Sequence, residues 1–454
     1  MPTSIHTPGE RPVAGRRARG KAARDRVPVE ALGRWRHDRP DREPTARLLA
    51  QNAIRLPELT PLRHGRMARS AWNYLRGAAG VMAADLAAGP TTGLEVQLCG
   101  DAHVLNFGLW ATPERNLSFD LRDFDETLPG PFEWDVERLV ASLVVVARHN
   151  GLATEIGDDA VRAAARAYRD RMAHYATATQ MEIWYDSIYV DQLLGYFGGK
   201  RRKRVAALID RQGRRRTNVG AFEKLTAVVD GRRRILEEPP RLAHFDDPRR
   251  LEIVHEIFER YADTLPDDRK HLLSNFEYVD TARQVVGVGS VGMRVYLLLF
   301  EGRGNSGPLF LQVKQAGASV YEEHLRKSRY RNHGARVANG KRLIQSATDI
   351  FVGWTSFDGV DFYVRQFRDM KIIPDSERIA PGLVPFATAC GEVLARAHAR
   401  TGDPVAIAAY LGKGGRFADS MVAFARDYAD QTERDHAGFV RAIGRGAVPA
   451  DTED

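Results

Sequence analysis

The chain has 454 residues, 43% hydrophobic and 28% charged, a composition that fits a folded globular protein and excludes wholesale disorder or a collagen-like repeat. Its net charge is +8, from 67 basic and 59 acidic residues. Its longest strongly apolar run, residues 139–147, is too short to span a bilayer. Cys99 and Cys390 are the only cysteines, so neither a disulfide framework nor a Cys-rich zinc site is expected. With a polar, Arg-rich N-terminus lacking an apolar signal segment, a cytoplasmic location is expected.

Residues 1–45 carry 11 basic and 6 acidic residues among Pro and Gly without apolar period, and read as a basic disordered tail. Residues 46–280 read as a mainly helical lobe. Within it, 64–88 has helical spacing, and 96–98 leads into CGDAHVLNFGLWA. A turn at 112–116 separates that stretch from LSFDLRDFDE, giving strand, turn, strand. Pro129-Gly130-Pro131 breaks the chain, a helix is expected from about 133 to 150, and helical pattern continues to about 275. A second basic cluster, KRRKR at 200–204 and RRR at 214–216, makes 200–216 a candidate polyanion contact together with 1–45. The competing reading is a solvated helix face in a chain that uses Arg far more than Lys.

Residues 281–370 change character: Val, Tyr and Phe surround a glycine cluster, and five strands are expected, the last two joined at Phe357-Asp358-Gly359. Helical pattern returns for 371–454, including LARAHARTGD at 394–403, where His398 reads as a hydrogen-bonded core histidine. No stretch is expected to span a membrane.

Three constellations carry chemistry. In Gly100-Asp101-Ala102-His103-Val104-Leu105-Asn106, an Asp and an Asn five residues apart stand on a loop before a short apolar strand, and Asp123-Phe124-Asp125 follows one hairpin later. Such spacing lets one carboxylate face a hydroxyl nucleophile while an amide and a second carboxylate hold a hard cation against phosphates. The alternative is an acidic hairpin whose aspartates cap turns. Gly287-Val288-Gly289-Ser290-Val291-Gly292 precedes a strand, RVYLLLF, rather than the helix of a dinucleotide fingerprint. Lys314 lies in the next strand, LFLQVKQA. Alone, this reads equally as a hairpin with glycine bulges and a snorkelling lysine.

The Asp101–Asn106 loop and Asp123 resemble the catalytic loop and metal-binding Asp of protein-kinase-like phosphotransferases, in the aminoglycoside and choline kinase style, with Cys99 replacing the usual first His. That resemblance implies an α+β, two-lobed, protein-kinase-like fold with extra helices. It implies Asp101 and His103 in catalysis, and Asn106, Asp123 and Asp125 at Mg²⁺, with Asp123 the favoured main ligand and Asp120 and Asp125 its competitors. Gly287, Gly289, Ser290, Gly292 and Lys314 would hold ATP phosphates. Apart from the resemblance, Arg76 in LRGAA is a candidate phosphate contact near the loop, with a buried salt bridge as the equal alternative. Asp135, in Glu133-Trp134-Asp135, matches the Asp that receives backbone N–H groups of the catalytic loop. The glycine turn and Lys314 follow the catalytic loop instead of preceding it, so the resemblance implies circular permutation. The carboxylate partner of Lys314 is open: Glu322 and Glu323 follow it, and 334–348 contains no Glu. The motifs GDAHVLNFG, FDLRDFDE, EWD and ARAHAR also resemble an uncharacterised bacterial domain-of-unknown-function family, over roughly residues 60–440.

The expected activity is ATP- and Mg²⁺-dependent phosphoryl transfer to an unidentified, small hydroxylated acceptor. A nucleotide-binding pseudokinase or adenylyltransferase uses the same parts. A basic nucleic-acid-binding protein without catalysis is the rival from another class.

Overall fold

The computed structural model describes residues 12–35, 39–215, 218–244, 250–304, 307–367, 371–372 and 374–451. The protein is mixed α/β with several antiparallel sheets. Its centre is the helix Phe132–His149, whose residues 132–147 are all buried. Its apolar run 139–147 belongs inside a core, and the helix is surrounded by Thr154–Tyr175, Arg416–Gly444 and Leu383–Ala399, while Glu133, Asp135 and Arg138 are buried in its first half. Glu133 and Asp135 stand in its first turn and Arg148 and His149 in its last, the polarity that complements the helix dipole.

A six-stranded antiparallel sheet forms the second large unit. Its order is Gly353–Phe357, Val360–Gln366, Pro308–Ala316, Val295–Gly302, Phe276–Gln284, Leu242–Ala243. The helix His333–Ile344 lies between its Pro308–Ala316 and Gly353–Phe357 strands in sequence and packs on the sheet. Strand Pro308–Ala316 shows why the sheet holds a buried lysine. Alternate residues face opposite sides: Leu309, Leu311 and Val313 enter the core under the helix Arg250–Ala262. Phe310 joins the opposite core, and Gln312 and Lys314 continue along its face. Lys314 pairs in register with Val295 and Tyr363 on the flanking strands.

Several expectations need correction. The 1–45 segment is not a disordered tail in its described part. Val13–Arg26 is a helix that packs on Pro404–Leu411, with Gly20 and Ala23 buried at the contact. Arg16 pairs with Asp403 at 2.9 Å, Arg24 Nε donates to the Tyr410 carbonyl at 2.6 Å, and Arg42 bridges Asp85 and Asp435. These basic side chains are spent inside the fold, which removes them from any polyanion surface. Residues 1–11 and 36–38, and the side chains of 214–216, lie outside the described residues.

The expected helical pattern to 275 is interrupted by a hairpin, Thr226–Val229 with Arg232–Ile235. Its Asp230 and Gly231 both have positive φ, 51° and 74°, as a two-residue type I′ turn demands. The sheet has six strands rather than five, beginning at Leu242 and Phe276 rather than 281. The expected hairpin at Asp358-Gly359 is present with the same turn signature, φ 49° and 72°. The pattern across 64–88 resolves into three short helices, Thr60–Ala68, Ala71–Gly77 and Ala79–Ala87. Among the described residues, no helix is long and apolar enough to cross a membrane.

Candidate functional site

The loop 99–106 is held from below by the central helix. Asp135 accepts the backbone N–H of Cys99 at 2.7 Å and of Gly100 at 2.9 Å. His398 lies 3.2 Å from the same carboxylate through Nε2, and its Nδ1 lies 2.8 Å from the Tyr168 hydroxyl. Asp135 and His398 are both wholly buried, so this is the core histidine that the sequence suggests. Ser142 Oγ accepts the Val104 N–H at 2.9 Å. Gly100 adopts φ +90°, and a Cβ there would stand 2.4 Å from the Glu126 carbonyl oxygen. Only glycine lets the loop press so closely onto the acidic segment.

On this support, Asp101 Oδ1 accepts from Arg138 Nε at 2.9 Å, and Oδ2 lies 3.7 Å from His103 Nε2. Burial raises the Asp101 carboxyl, and Arg138 works against that shift. Asn106 donates through Nδ2 to the Asp101 carbonyl at 2.5 Å, which aims its amide along the loop. His103 is 6% exposed, and its Nδ1 is buried with no hydrogen-bond partner among the described residues. Burial, reinforced by Arg76, Arg138 and Arg122, pushes its pKa well down, so the ring is neutral.

The second hairpin strand delivers Asp123 and Asp125 to Lys314, 189 residues later in the chain than Asp125. Lys314 Nζ lies 3.7 Å from Asp123 Oδ2 and forms a close ion pair with Asp125. Tyr363 donates its hydroxyl to the other Asp125 oxygen at 2.9 Å. Lys314 is 1% exposed and stands behind the two carboxylates. Burial raises Asp123, but Lys314, Arg365, Arg122 and Lys371 outweigh it and hold the group well below the usual range. Burial and then the neighbouring Asp123 charge push Asp125 the other way. Burial opposes the charge on Lys314, yet the facing Asp123 and Asp125 carboxylates raise its pKa, so it stays an ammonium.

The glycine turn spans the top of the site. Gly287, Val288, Gly289 and Ser290 line a cleft of about 1080 Å³ with Arg76, Asp101, His103, Asn106, Asp123 and Asp125. Val288 packs among Leu48, Met67 and Tyr74, and Val291 among Leu59 and Leu62, which pins the turn to the helices before the loop. Gly292, with φ +86°, faces Arg55, and its carbonyl accepts from Leu56 N at 2.8 Å; it does not line the cleft. Arg76 lies 5.7 Å from the Trp72 ring centre and makes no ion pair among the described residues. Its Nε is buried without a hydrogen-bond partner among the described residues.

The partner of Lys314 is therefore neither Glu322 nor Glu323. Glu322 lies 3.8 Å from Arg336 Nε, and Glu323 pairs with Arg47. Sequence reasoning missed Arg138, three residues after Asp135 on the same buried helix, and Tyr363, which the strand register sets opposite Lys314. It also missed Arg336, whose guanidinium donates to the carbonyls of Thr127, Asp125 and Gly317 at 2.7, 2.7 and 2.8 Å. Arg336 was legible only as a basic residue on a helix; its three acceptors lie on two distant segments.

Of the expected donors to a cation, Asp123 and Asn106 line the cleft, and both Asp125 oxygens are engaged. Among the described residues, no group of three or more His, Cys, Asp or Glu side chains is placed to hold a metal ion. A carboxylate with one or two further oxygen donors suits Mg²⁺ whose shell is completed by water and phosphate.

A family model described as "Uncharacterized protein conserved in bacteria (DUF2252)" matches residues 55–442. The chain belongs to that family. Comparison with curated proteins and with solved structures gives no match.

Proposed function

We propose that this protein is an ATP- and Mg²⁺-dependent phosphotransferase with a circularly permuted, protein-kinase-like arrangement, acting on a hydroxylated small molecule. The observation that carries this reading is the meeting of Lys314 with Asp123 and Asp125 at a cleft that also holds Asp101, Asn106 and the glycine turn. The lysine on the third of three consecutive antiparallel strands, with the glycine turn between the first two and a helix following, supports it further.

In this reading the backbone of 287–290 and the side chain of Arg76 receive phosphate oxygens. Lys314, which does not itself line the cleft, fixes both carboxylates from behind and offsets their charge where the phosphates would lie. Asp123 and Asn106 would hold Mg²⁺, which supplies charge neutralisation between the phosphates when bound. Asp101 orients the acceptor hydroxyl and takes its proton, and Arg138 fixes the carboxylate angle. Neutral His103 donates or accepts a hydrogen bond beside it without adding charge.

The test is a thermal-shift titration with ATP, with and without Mg²⁺, followed by mass analysis of products over a panel of hydroxylated compounds. ATP with Mg²⁺ raises the melting temperature by mass action. Asp123→Asn removes the Mg²⁺-dependent part of the shift, whereas Asp101→Asn keeps the shift and loses turnover by about 10²-fold or more. Wild-type turnover in both variants overturns the assignment, and products carrying an adenylyl instead of a phosphoryl group reassign the reaction.

A further inference from the structure

A second cavity, of about 760 Å³, lies beside the cleft and shares Pro374 and Arg378 with it. Its walls are apolar: Leu193, Phe197, Ile209, Ile379 and Phe386 are each less than 9% exposed, and half-buried Val205 completes them. The volume falls in the range of cavities that enclose a whole small ligand, ~300–1,000 Å³. Its rim has the opposite character. Lys200, Arg201 and Arg204, from the first turns of the helix Gly199–Arg215, line the cavity and are exposed to solvent. None of the three forms an ion pair among the described residues, and no described lining residue is acidic. Among the described lining residues the one further cation is Arg378, which is already paired with Asp375 at 3.2 Å.

The KRRKR run therefore has a local reason. An amphipathic helix buries Val205 and Ile209 toward the cavity and leaves its cations at the mouth. A flat polyanion would meet the charges and leave the cavity empty. A neutral hydrocarbon would fill the cavity and ignore the charges. Both features are met by one molecule with a hydrocarbon tail and an anionic head.

We infer that this cavity binds a monomeric single-chain amphiphile, an alkyl tail bearing a phosphate or carboxylate, with the tail against Phe197, Val205 and Phe386 and the head at Lys200, Arg201 and Arg204. The inference concerns binding alone and stands whether or not the neighbouring cleft transfers phosphate.

The experiment is calorimetric titration of the full chain with dodecyl phosphate below its critical micelle concentration. Decyl phosphate, inorganic phosphate, a neutral dodecyl glycoside and anionic vesicles are the comparison arms. Dodecyl phosphate is expected to bind, and removing two methylenes to weaken it by roughly tenfold, as burial of two CH₂ groups implies. Val205→Glu places a charge in the tail path and should weaken binding at least tenfold. The surface pair Arg201→Glu with Arg204→Glu, which leaves the core untouched, should bring dodecyl phosphate down to the affinity of the neutral glycoside. Equal affinity for inorganic and dodecyl phosphate, binding to vesicles alone, or unchanged binding in both variants would overturn the inference.

Discussion

Glu133 opens the central helix, is wholly buried, and accepts from Thr92 through its backbone N–H at 2.7 Å and its hydroxyl at 2.9 Å. Burial raises its pKa from 4.5 to about 7, with the Thr92 bonds acting against the shift. A carboxyl whose folded pKa exceeds its unfolded one favours folding while protonated. That contribution is full below pH about 4.5 and is lost as pH rises through about 7. Stability should therefore fall between pH 5 and 8 by on the order of 2–3 kcal/mol on account of this residue. Glu133→Gln, which keeps the shape and removes the ionisation, should flatten that fall in urea unfolding measured across the range. An unchanged pH slope would show that the group is not the source. At the same scale, Asp101 and Asp135 look alike in sequence, yet one lines the cleft and the other is spent on two backbone N–H groups. Their roles follow from position after folding, because an acceptor inside a loop's curve binds amides and one at its rim meets solvent.

The helix Val13–Arg26 is the element that the sequence hides best. Its contact with Pro404–Leu411 is made through Gly20 and Ala23, small residues that carry no apolar period, and its arginines satisfy carbonyls and Asp403. A Cβ on Gly20 would stand 2.0 Å from the Ala406 carbonyl oxygen. Gly20→Val should therefore destabilise the protein by about 1–3 kcal/mol, read as a lower urea midpoint. A disordered tail would absorb the substitution without effect. The hairpin after the Asp101 loop, Phe107–Ala111 with Leu117–Leu121, is the contrasting case. Its alternation and turn residues are contiguous, so local spacing sufficed to read it. The Thr226–Ile235 hairpin carried an equally local Asp-Gly signal, but the surrounding helices masked it.

At the scale of the whole molecule, the site exists because the sheet unit is fastened to the acidic loop. Arg336, 2% exposed on His333–Ile344, ties Asp125 and Thr127 to Gly317 through three carbonyls. Arg336→Leu leaves those carbonyls without their buried donor and should cost about 2–4 kcal/mol. Arg342→Leu, on the same helix, removes one hydrogen bond to the Val352 carbonyl and a contact with the Trp354 ring, and should cost roughly 1 kcal/mol. Denaturant unfolding of the two variants separates a general helix effect from loss of the fastening.

What the amino-acid sequence determined by itself is the set of local devices: a loop with Asp101 and Asn106 five residues apart, a hairpin ending in Asp123 and Asp125, a glycine turn between strands, and a lysine on the next strand. Each is legible because covalent spacing and backbone preference act within a few residues. The tertiary structure alone decided that Lys314 is held by Asp123 and Asp125, that Arg138 and Arg336 secure the two sides, and that the basic run beyond residue 200 rims an apolar cavity. Those pairings join segments up to 211 residues apart. Burial of distant surfaces selects such partners, and that leaves no periodic trace along the chain.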